Sequence, residues 1–103
     1  MSFEICRAIR ADHPILAGHF PGETIVPGVV ILDEVAAALA KWRKDCQLTG
    51  ISAVKFVLPL KPEQSFTICL TAAKDAKTDV DFYCHADGRM LVEGRFEISC
   101  DPV

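Results

Sequence analysis

The chain has 103 residues, of which 50% are apolar and 24% charged, and its formal net charge is −3 at pH 7. This composition is typical of one globular domain spanning residues 1–103 and excludes a disordered tail. Basic residues cluster only in KWRK and do not alternate with aromatic residues, so nucleic acid binding is not indicated. No signal peptide pattern is present and no apolar run reaches about 18 residues, which predicts a cytoplasmic protein without a membrane span.

The cysteines are odd in number and widely spaced along the chain. They show neither a CxxC motif nor the Cys/His spacing of a zinc site. We therefore expect them to be reduced and to serve as small apolar side chains in strands or the helix. The five are Cys6, Cys46, Cys69, Cys84 and Cys100.

The first half of the chain predicts a strand around residues 3–9 and a long helix from about residue 29 to 44. Pro27 is suited to the first helical turn, where its fixed φ helps and its missing N–H costs nothing. The first dozen helical residues are apolar on nearly every side, which predicts a buried helix. The basic residues of KWRK come only in its last turns, where cations favour the carbonyl end of the helix dipole.

The second half predicts four strands, in residues 51–60, 65–73, 79–86 and 89–99, from their β-branched and aromatic content and their alternation. Asp87-Gly88 marks the last hairpin. A strict two-residue loop would place Phe82 opposite Glu93. A three-residue loop over residues 86–88, with Gly88 in the left-handed position, instead pairs Phe82 with Val92 and Cys84 with Met90. This second register is the one we predict.

These elements predict an α+β fold in which a curved antiparallel sheet wraps around one long central helix. A helix that is apolar on every side needs partners on every side. The sheet supplies most of that cover, and a second copy of the molecule would supply the rest.

The segment GHFPGETIVPGVVILDEVAAALA, residues 18–40, places a histidine, His19, shortly before this helix and a carboxylate, Asp33, within it. The helical neighbours of Asp33, three and four positions away, are all apolar. An unpaired buried carboxylate is costly, so Asp33 should be near the surface, neutral, hydrogen-bonded or held for chemistry. Glu34 shares a helix face with Lys41 and is the carboxylate that we expect to be solvated.

The start of the helix adds electrophilic groups, because the free N–H groups of Gly28 and Val29 can donate to an oxygen that gains charge. A histidine base, a carboxylic acid and this helix start suit proton abstraction beside a thioester carbonyl, which is dehydration chemistry. The structural alternatives are a turn or capping role for His19 and, for Asp33, a charge stabilised by the helix dipole. His13 and His85 are expected at the surface.

The quoted segment resembles a family signature. GHFPGETIVPGVVILDEV is similar to GHFPGxPIxPGVLxLExxxQ of the hot-dog-fold 3-hydroxyacyl-[acyl-carrier-protein] dehydratases of the FabA and FabZ type. VKFVLPLKPEQSFTI more weakly resembles the RFxxPVxPGDxL strand-turn-strand of that family. The resemblance implies a hot-dog fold and a lyase of fatty-acid or polyketide/aryl-polyene-like biosynthesis that forms trans-2-enoyl thioesters.

The resemblance also implies roles for individual residues. His19 would remove the α-proton of the 3-hydroxyacyl thioester, Asp33 would protonate the leaving hydroxyl, and the Gly28 N–H would bind the thioester carbonyl. Phe20, Pro27 and Val29 are assigned to substrate binding with Gly28. The family works as homodimers or larger assemblies, with each site shared between two protomers, and takes its substrate from the phosphopantetheine arm of an acyl carrier protein. No metal or bound redox cofactor is implied.

Two positions depart from the family signature. Thr24 replaces a proline, and Ala37 replaces the glutamine that usually follows the acidic residue by four positions. Loss of that glutamine removes a hydrogen-bond partner that would orient the carboxylate. Two alternatives therefore stay open: a hot-dog acyl thioesterase, and a non-catalytic partner subunit that resembles a dehydratase.

Overall fold

The computed structural model describes residues 2–16, 25–75 and 78–101. These residues form β1 (Ser2–Arg7), α1 (Gly28–Trp42), β2 (Cys46–Phe56), β3 (Phe66–Ala72), β4 (Asp79–Ala86) and β5 (Arg89–Cys100). The strands form one antiparallel sheet in the order β1-β3-β4-β5-β2. The predicted combination of an antiparallel sheet and one long helix is therefore found in the described part. That part contains no helix with the length and apolarity needed to cross a membrane.

The core lies between α1 and one face of the sheet. Side chains alternate along a strand, so one set of β3 and β4 residues, which includes Ile68 and Phe82, faces the helix and is buried. Phe82 also contacts Phe96, with ring centroids 4.5 Å apart. Gly94 is opposite Phe82, and a Cβ there would collide with the Phe82 ring and the Ala53 carbonyl. A glycine at this position therefore leaves the space that the aromatic ring occupies.

The hairpin between β4 and β5 differs from the predicted register. Asp87 and Gly88 both have positive φ, at 52° and 75°, and form a two-residue loop that pairs Ala86 with Arg89. A β-bulge then shifts the register, so that Cys84 pairs with Val92 and Phe82 with Gly94. The predicted pairs Phe82–Val92 and Cys84–Met90 are wrong. The extra residue of the bulge brings even-numbered residues of β4 opposite even-numbered residues of β5, which a two-residue loop alone would not do. No pattern in the sequence predicts a bulge at this position.

Strand β2 begins at Cys46, five positions earlier than the predicted run, and ends at Phe56. It lies at the edge of the sheet beside β5. Its pairing with β5 includes Gly50, and the register shifts once on each side of residues 50–51. Leu48, Ile51 and Val54 pair with residues of β5 and therefore lie on the same face of the sheet as their partners. All three are nevertheless exposed. The helix therefore leaves this end of the apolar sheet face uncovered.

Cys46 and Cys100 form a disulfide, so the expectation that all cysteines are reduced is wrong for this pair. The two residues lie opposite each other where β2 and β5 pair, although 54 positions separate them in the sequence. Their proximity depends on the β2–β5 register, which the sequence pattern does not reveal. Cys69 and Cys84 are buried free thiols, as expected, and burial raises the pKa of the Cys84 thiol to about 12.

Candidate active site

The start of α1 presents free backbone donors. Pro27 immediately precedes the helix with extended φ and ψ of −60° and 146°, so it occupies the capping position and not the first helical turn. Its carbonyl accepts hydrogen bonds from the N–H groups of Val30 and Ile31, at 3.0 and 3.4 Å. The N–H groups of Gly28 and Val29 have no acceptor among the described residues. They are available to an oxygen that gains negative charge.

An apolar pocket of about 320 Å³ lies beside this helix start. All of its lining residues are nonpolar, and they come from the helix start and from residues 56–60. The two segments are joined by a hydrogen bond of 2.8 Å from the Val26 N–H to the Leu60 carbonyl. The Phe56 ring packs directly on Gly28, where a Cβ would lie 2.5 Å from Phe56 Cζ. Because Gly28 has no side chain, the Phe56 ring can pack close to the free N–H groups of the helix start.

Asp33 lies on the face of α1 that the sheet leaves open. It is exposed, as are Val29 one turn before it and Ala37 one turn after it. Asp33 makes no hydrogen bond or ion pair with another described residue. Of the alternatives predicted for this carboxylate, a position near the surface is the one found. Its exposed, unpaired carboxylate can approach a group that binds to this face.

Glu34 behaves differently from the prediction. Its Oε1 lies 3.3 Å from Arg7 Nη2, and its side chain is only 21% exposed. The expectation that Glu34 is the solvated carboxylate is therefore wrong. The ion pair joins α1 to β1, so this carboxylate stabilises the fold, whereas Asp33 has no such partner among the described residues.

Comparisons with known proteins place this chain in a family. The family model described as ApeI-like, ApeI dehydratase, matches residues 1–95. This protein belongs to the ApeI-like dehydratase family.

Two curated relatives and one solved structure are similar to this family member. The 3-hydroxyacyl-[acyl-carrier-protein] dehydratase FabZ of Ehrlichia chaffeensis is 28% identical over 95 residues, which are 84% of this chain and 66% of that protein. The FabZ of Chlamydia trachomatis serovar L2 is 34% identical over 83 residues, 67% of this chain and 54% of that protein. The chain thus spans less than two thirds of the length of either relative.

The dehydratase heterocomplex ApeI:P from Xenorhabdus doucetiae contains a chain with the same fold. It superposes with a TM-score of 0.82 at 22% sequence identity, over 97% of this chain and 88% of the other. The predicted hot-dog fold and the resemblance to the FabA and FabZ type are confirmed by these matches.

The described residues contain only part of the site predicted for this ApeI-like protein. They bring Pro27, Gly28 and Val29 together at the start of α1 and place Asp33 on the same side of the helix as Val29. His19 and Phe20 lie outside the described residues, so their predicted roles remain predictions, as does the pairing of His19 with Asp33. His13 and His85 are both partly exposed, as expected for surface residues.

Phe56 is the site residue that the sequence did not indicate. Its segment, VKFVLPL, resembled a family motif, but nothing local shows that the ring packs on Gly28 across the fold. A glycine at a helix start is a common sequence feature, so it carries no signal of an aromatic partner. Within residues 2–16, 25–75 and 78–101, no group of three or more His, Cys, Asp or Glu side chains could hold a metal ion.

Proposed function

We propose that this protein is a dehydratase that removes water from 3-hydroxyacyl thioesters carried by an acyl carrier protein and gives trans-2-enoyl thioesters. The observation that carries the proposal is the match of residues 1–95 to a dehydratase family. It is supported by relatives named for this substrate class. The free carboxylate and free N–H groups on one side of α1 are chemically suited to it.

The reaction divides among three groups. His19 takes the α-proton, and the electron pair of that C–H bond moves towards the thioester carbonyl. The Gly28 N–H donates to the carbonyl oxygen as its charge grows. Asp33, in its neutral carboxylic acid form, gives its proton to the 3-hydroxyl group, which leaves as water while the double bond forms. The apolar pocket beside Gly28 is suited to the acyl chain, because its lining is nonpolar throughout.

We propose that the active unit is a homodimer. The open face of α1 and the exposed apolar residues of edge strand β2 lie on the side that a second copy would cover. An edge strand offers unpaired backbone groups to another strand. Pairing of β2 with β2 of a second copy would extend the sheet and bring a second protomer against Asp33.

Ala37 supports a second candidate function, that of a non-catalytic partner subunit. The small side chain is exposed one turn after Asp33, where the family signature has a glutamine. The Xenorhabdus doucetiae structure with the same fold is described as a dehydratase heterocomplex, so that chain combines with a different subunit, and this supports the second candidate. In that case the purified chain would bind a carrier protein yet need the second subunit for turnover.

Mass spectrometry of a 3-hydroxyacyl carrier protein incubated with the purified protein tests the proposal. We expect loss of one water with the wild type and a decrease of at least about 100-fold in rate with His19→Ala and with Asp33→Asn. His13→Ala and Glu34→Gln are matched controls that should retain the wild-type rate. Release of free thiol without an enoyl product would instead indicate a thioesterase. No mass change across several acyl chain lengths would overturn the proposal.

A further inference from the structure

A second cavity, of about 420 Å³, lies next to the apolar pocket at the start of α1. Leu58 and Pro59 line both spaces, so the two are separated only by this short segment. The second cavity is formed between the turn that follows residues 58–60 and the β4–β5 hairpin loop. Unlike the first, it has charged residues in its lining, namely Lys61, Asp87 and Arg89.

The walls of this cavity are held in place by hydrogen bonds. The Gln64 Oε1 accepts from the Lys61 N–H at 3.0 Å, and the Gln64 Nε2 donates to Asp87 Oδ2 at 3.1 Å. One side chain therefore joins the turn to the hairpin loop. The turn and the hairpin loop are therefore held together before any ligand arrives, which reduces the entropy cost of ordering the cavity walls on binding.

Backbone conformation also marks these two turns. Glu63 and Asp87, with φ of 68° and 52°, are the non-glycine residues of the described part that have positive φ. For Asp87 this conformation is ordinary, because Asp-Gly is a preferred pair in a two-residue hairpin loop. For Glu63 it is unfavourable and persists because the surroundings fix it. Glu63 is fixed on both sides, because its N–H donates to the Ile9 carbonyl at 2.7 Å and its carboxylate accepts from the Ala11 N–H at 2.9 Å.

The charge in the cavity favours an anion. Lys61 and Arg89 are exposed, and neither side chain forms an ion pair with another described residue. The carboxylate of Asp87 is engaged by the Gln64 amide. Two free cations against one carboxylate leave the lining positive, in a chain whose net charge is −3. Lysine and arginine are the usual ligands of a phosphate group.

We propose that this cavity binds the phosphate of a phosphopantetheine arm, with Lys61 and Arg89 as its ligands. The inference rests on the proposed function, in which the thioester lies at Gly28 and the acyl chain in the apolar pocket. An arm that leaves the thioester would run along Leu58 and Pro59, which line both spaces, towards the second cavity. Coenzyme A carries the 4′-phosphate of the arm within a diphosphate, and a carrier protein carries it as a diester to serine, so both sources present an anionic phosphate at this position.

Two thioesters that differ only in the terminal phosphate test the proposal. We expect the wild type to have a kcat/KM about tenfold higher for 3-hydroxyacyl phosphopantetheine than for 3-hydroxyacyl pantetheine. Lys61→Gln and Arg89→Gln should each reduce this preference about threefold through KM, because each removes one partly solvated charge contact. Turnover of the pantetheine thioester should not change. Lys44→Gln removes an exposed charge beyond the other end of α1 and is the matched control.

Nuclear magnetic resonance titration with 4′-phosphopantetheine, which carries no acyl group, reports on the cavity independently of catalysis. Saturable shifts of residues 61–64 and 86–89 in the wild type, lost in the Lys61→Gln/Arg89→Gln variant, would support the anion site even if no thioester were turned over. In that event only the proposed function would fail. Equal turnover of the two thioesters by an active wild type, or absence of these shifts, would overturn the anion site alone.

Coenzyme A and carrier-protein thioesters distinguish the source of the phosphate. An effect of the double variant on both would support the shared phosphate site, and the lower wild-type KM would identify the preferred source. An effect on the carrier-protein substrate alone would mean that the two cations contact the carrier protein surface, which would overturn the proposal.

Discussion

At the scale of single residues, Gly28 is a position of the candidate site where the structure leaves little room for a side chain. The Phe56 ring occupies the space that a side chain at residue 28 would need. Gly28→Ala should therefore destabilise the protein by about 1 kcal/mol, the low end for overpacking, because Phe56 is half exposed and can turn outward. Urea unfolding of wild type, Gly28→Ala, Phe56→Ala and the double variant measures this effect.

The double variant is the informative member of that set. If the alanine Cβ acts by displacing the ring, then Gly28→Ala should cost little in the Phe56→Ala background, and the two changes should be non-additive. Strict additivity would show that the glycine matters for another reason, such as its backbone freedom.

Asp33 and Glu34 show what can be predicted at this scale. The sequence identified Asp33 as the unusual carboxylate from its apolar helical neighbours, and Asp33 has no hydrogen bond or ion pair with another described residue. The sequence could not predict which side of α1 the sheet covers. Glu34 was therefore predicted to be solvated, whereas it pairs with Arg7 from β1. Helical periodicity predicts which side chains share a face of the helix, but contacts with distant strands decide which face packs against the sheet.

At the scale of elements, the disulfide joins the beginning of edge strand β2 to the end of β5. A reducing agent should lower the free energy of unfolding by about 2 to 4 kcal/mol, because the cross-link closes a long loop in the unfolded chain. Urea unfolding with and without reductant measures the change. A variant with both Cys46→Ser and Cys100→Ser should be insensitive to reductant. Equal stability of the wild type under both conditions would contradict the prediction.

The strands also show which features local sequence patterns can predict and which they cannot. The bounds of β4 match the predicted run, since its alternation is unbroken from Asp79 to Ala86. The β4–β5 register was missed, because a bulge places both Leu91 and Val92 in the core and turns Met90 outward. The start of β2 was missed because a glycine such as Gly50 is expected to interrupt a strand. In the structure, Gly50 pairs with β5 and lies within the strand.

At the scale of the whole molecule, α1 and edge strand β2 both carry exposed apolar residues. Val29 on α1 is 58% exposed, and Leu48, Ile51 and Val54 on β2 are exposed on the helix side of the sheet. A polar substitution at the centre of this surface, Ile51→Lys, should shift the proposed dimer towards monomer in analytical ultracentrifugation. Met90→Lys adds the same charge at an exposed residue of β5 whose side chain is turned away from the core, and should leave the dimer intact. A monomeric wild type would contradict the proposal.

If each site combines His19 of one protomer with Asp33 of the other, two inactive variants should restore each other. A homodimer of His19→Ala or of Asp33→Asn has no complete site, but a mixed dimer has one site with both groups intact. Random exchange makes half of the dimers mixed, so the mixture should recover about a quarter of the wild-type rate. The rate of enoyl product formation after dissociation and reassociation measures this recovery. No recovery, with mixed dimers demonstrated by native mass spectrometry, would mean that both groups act within one chain.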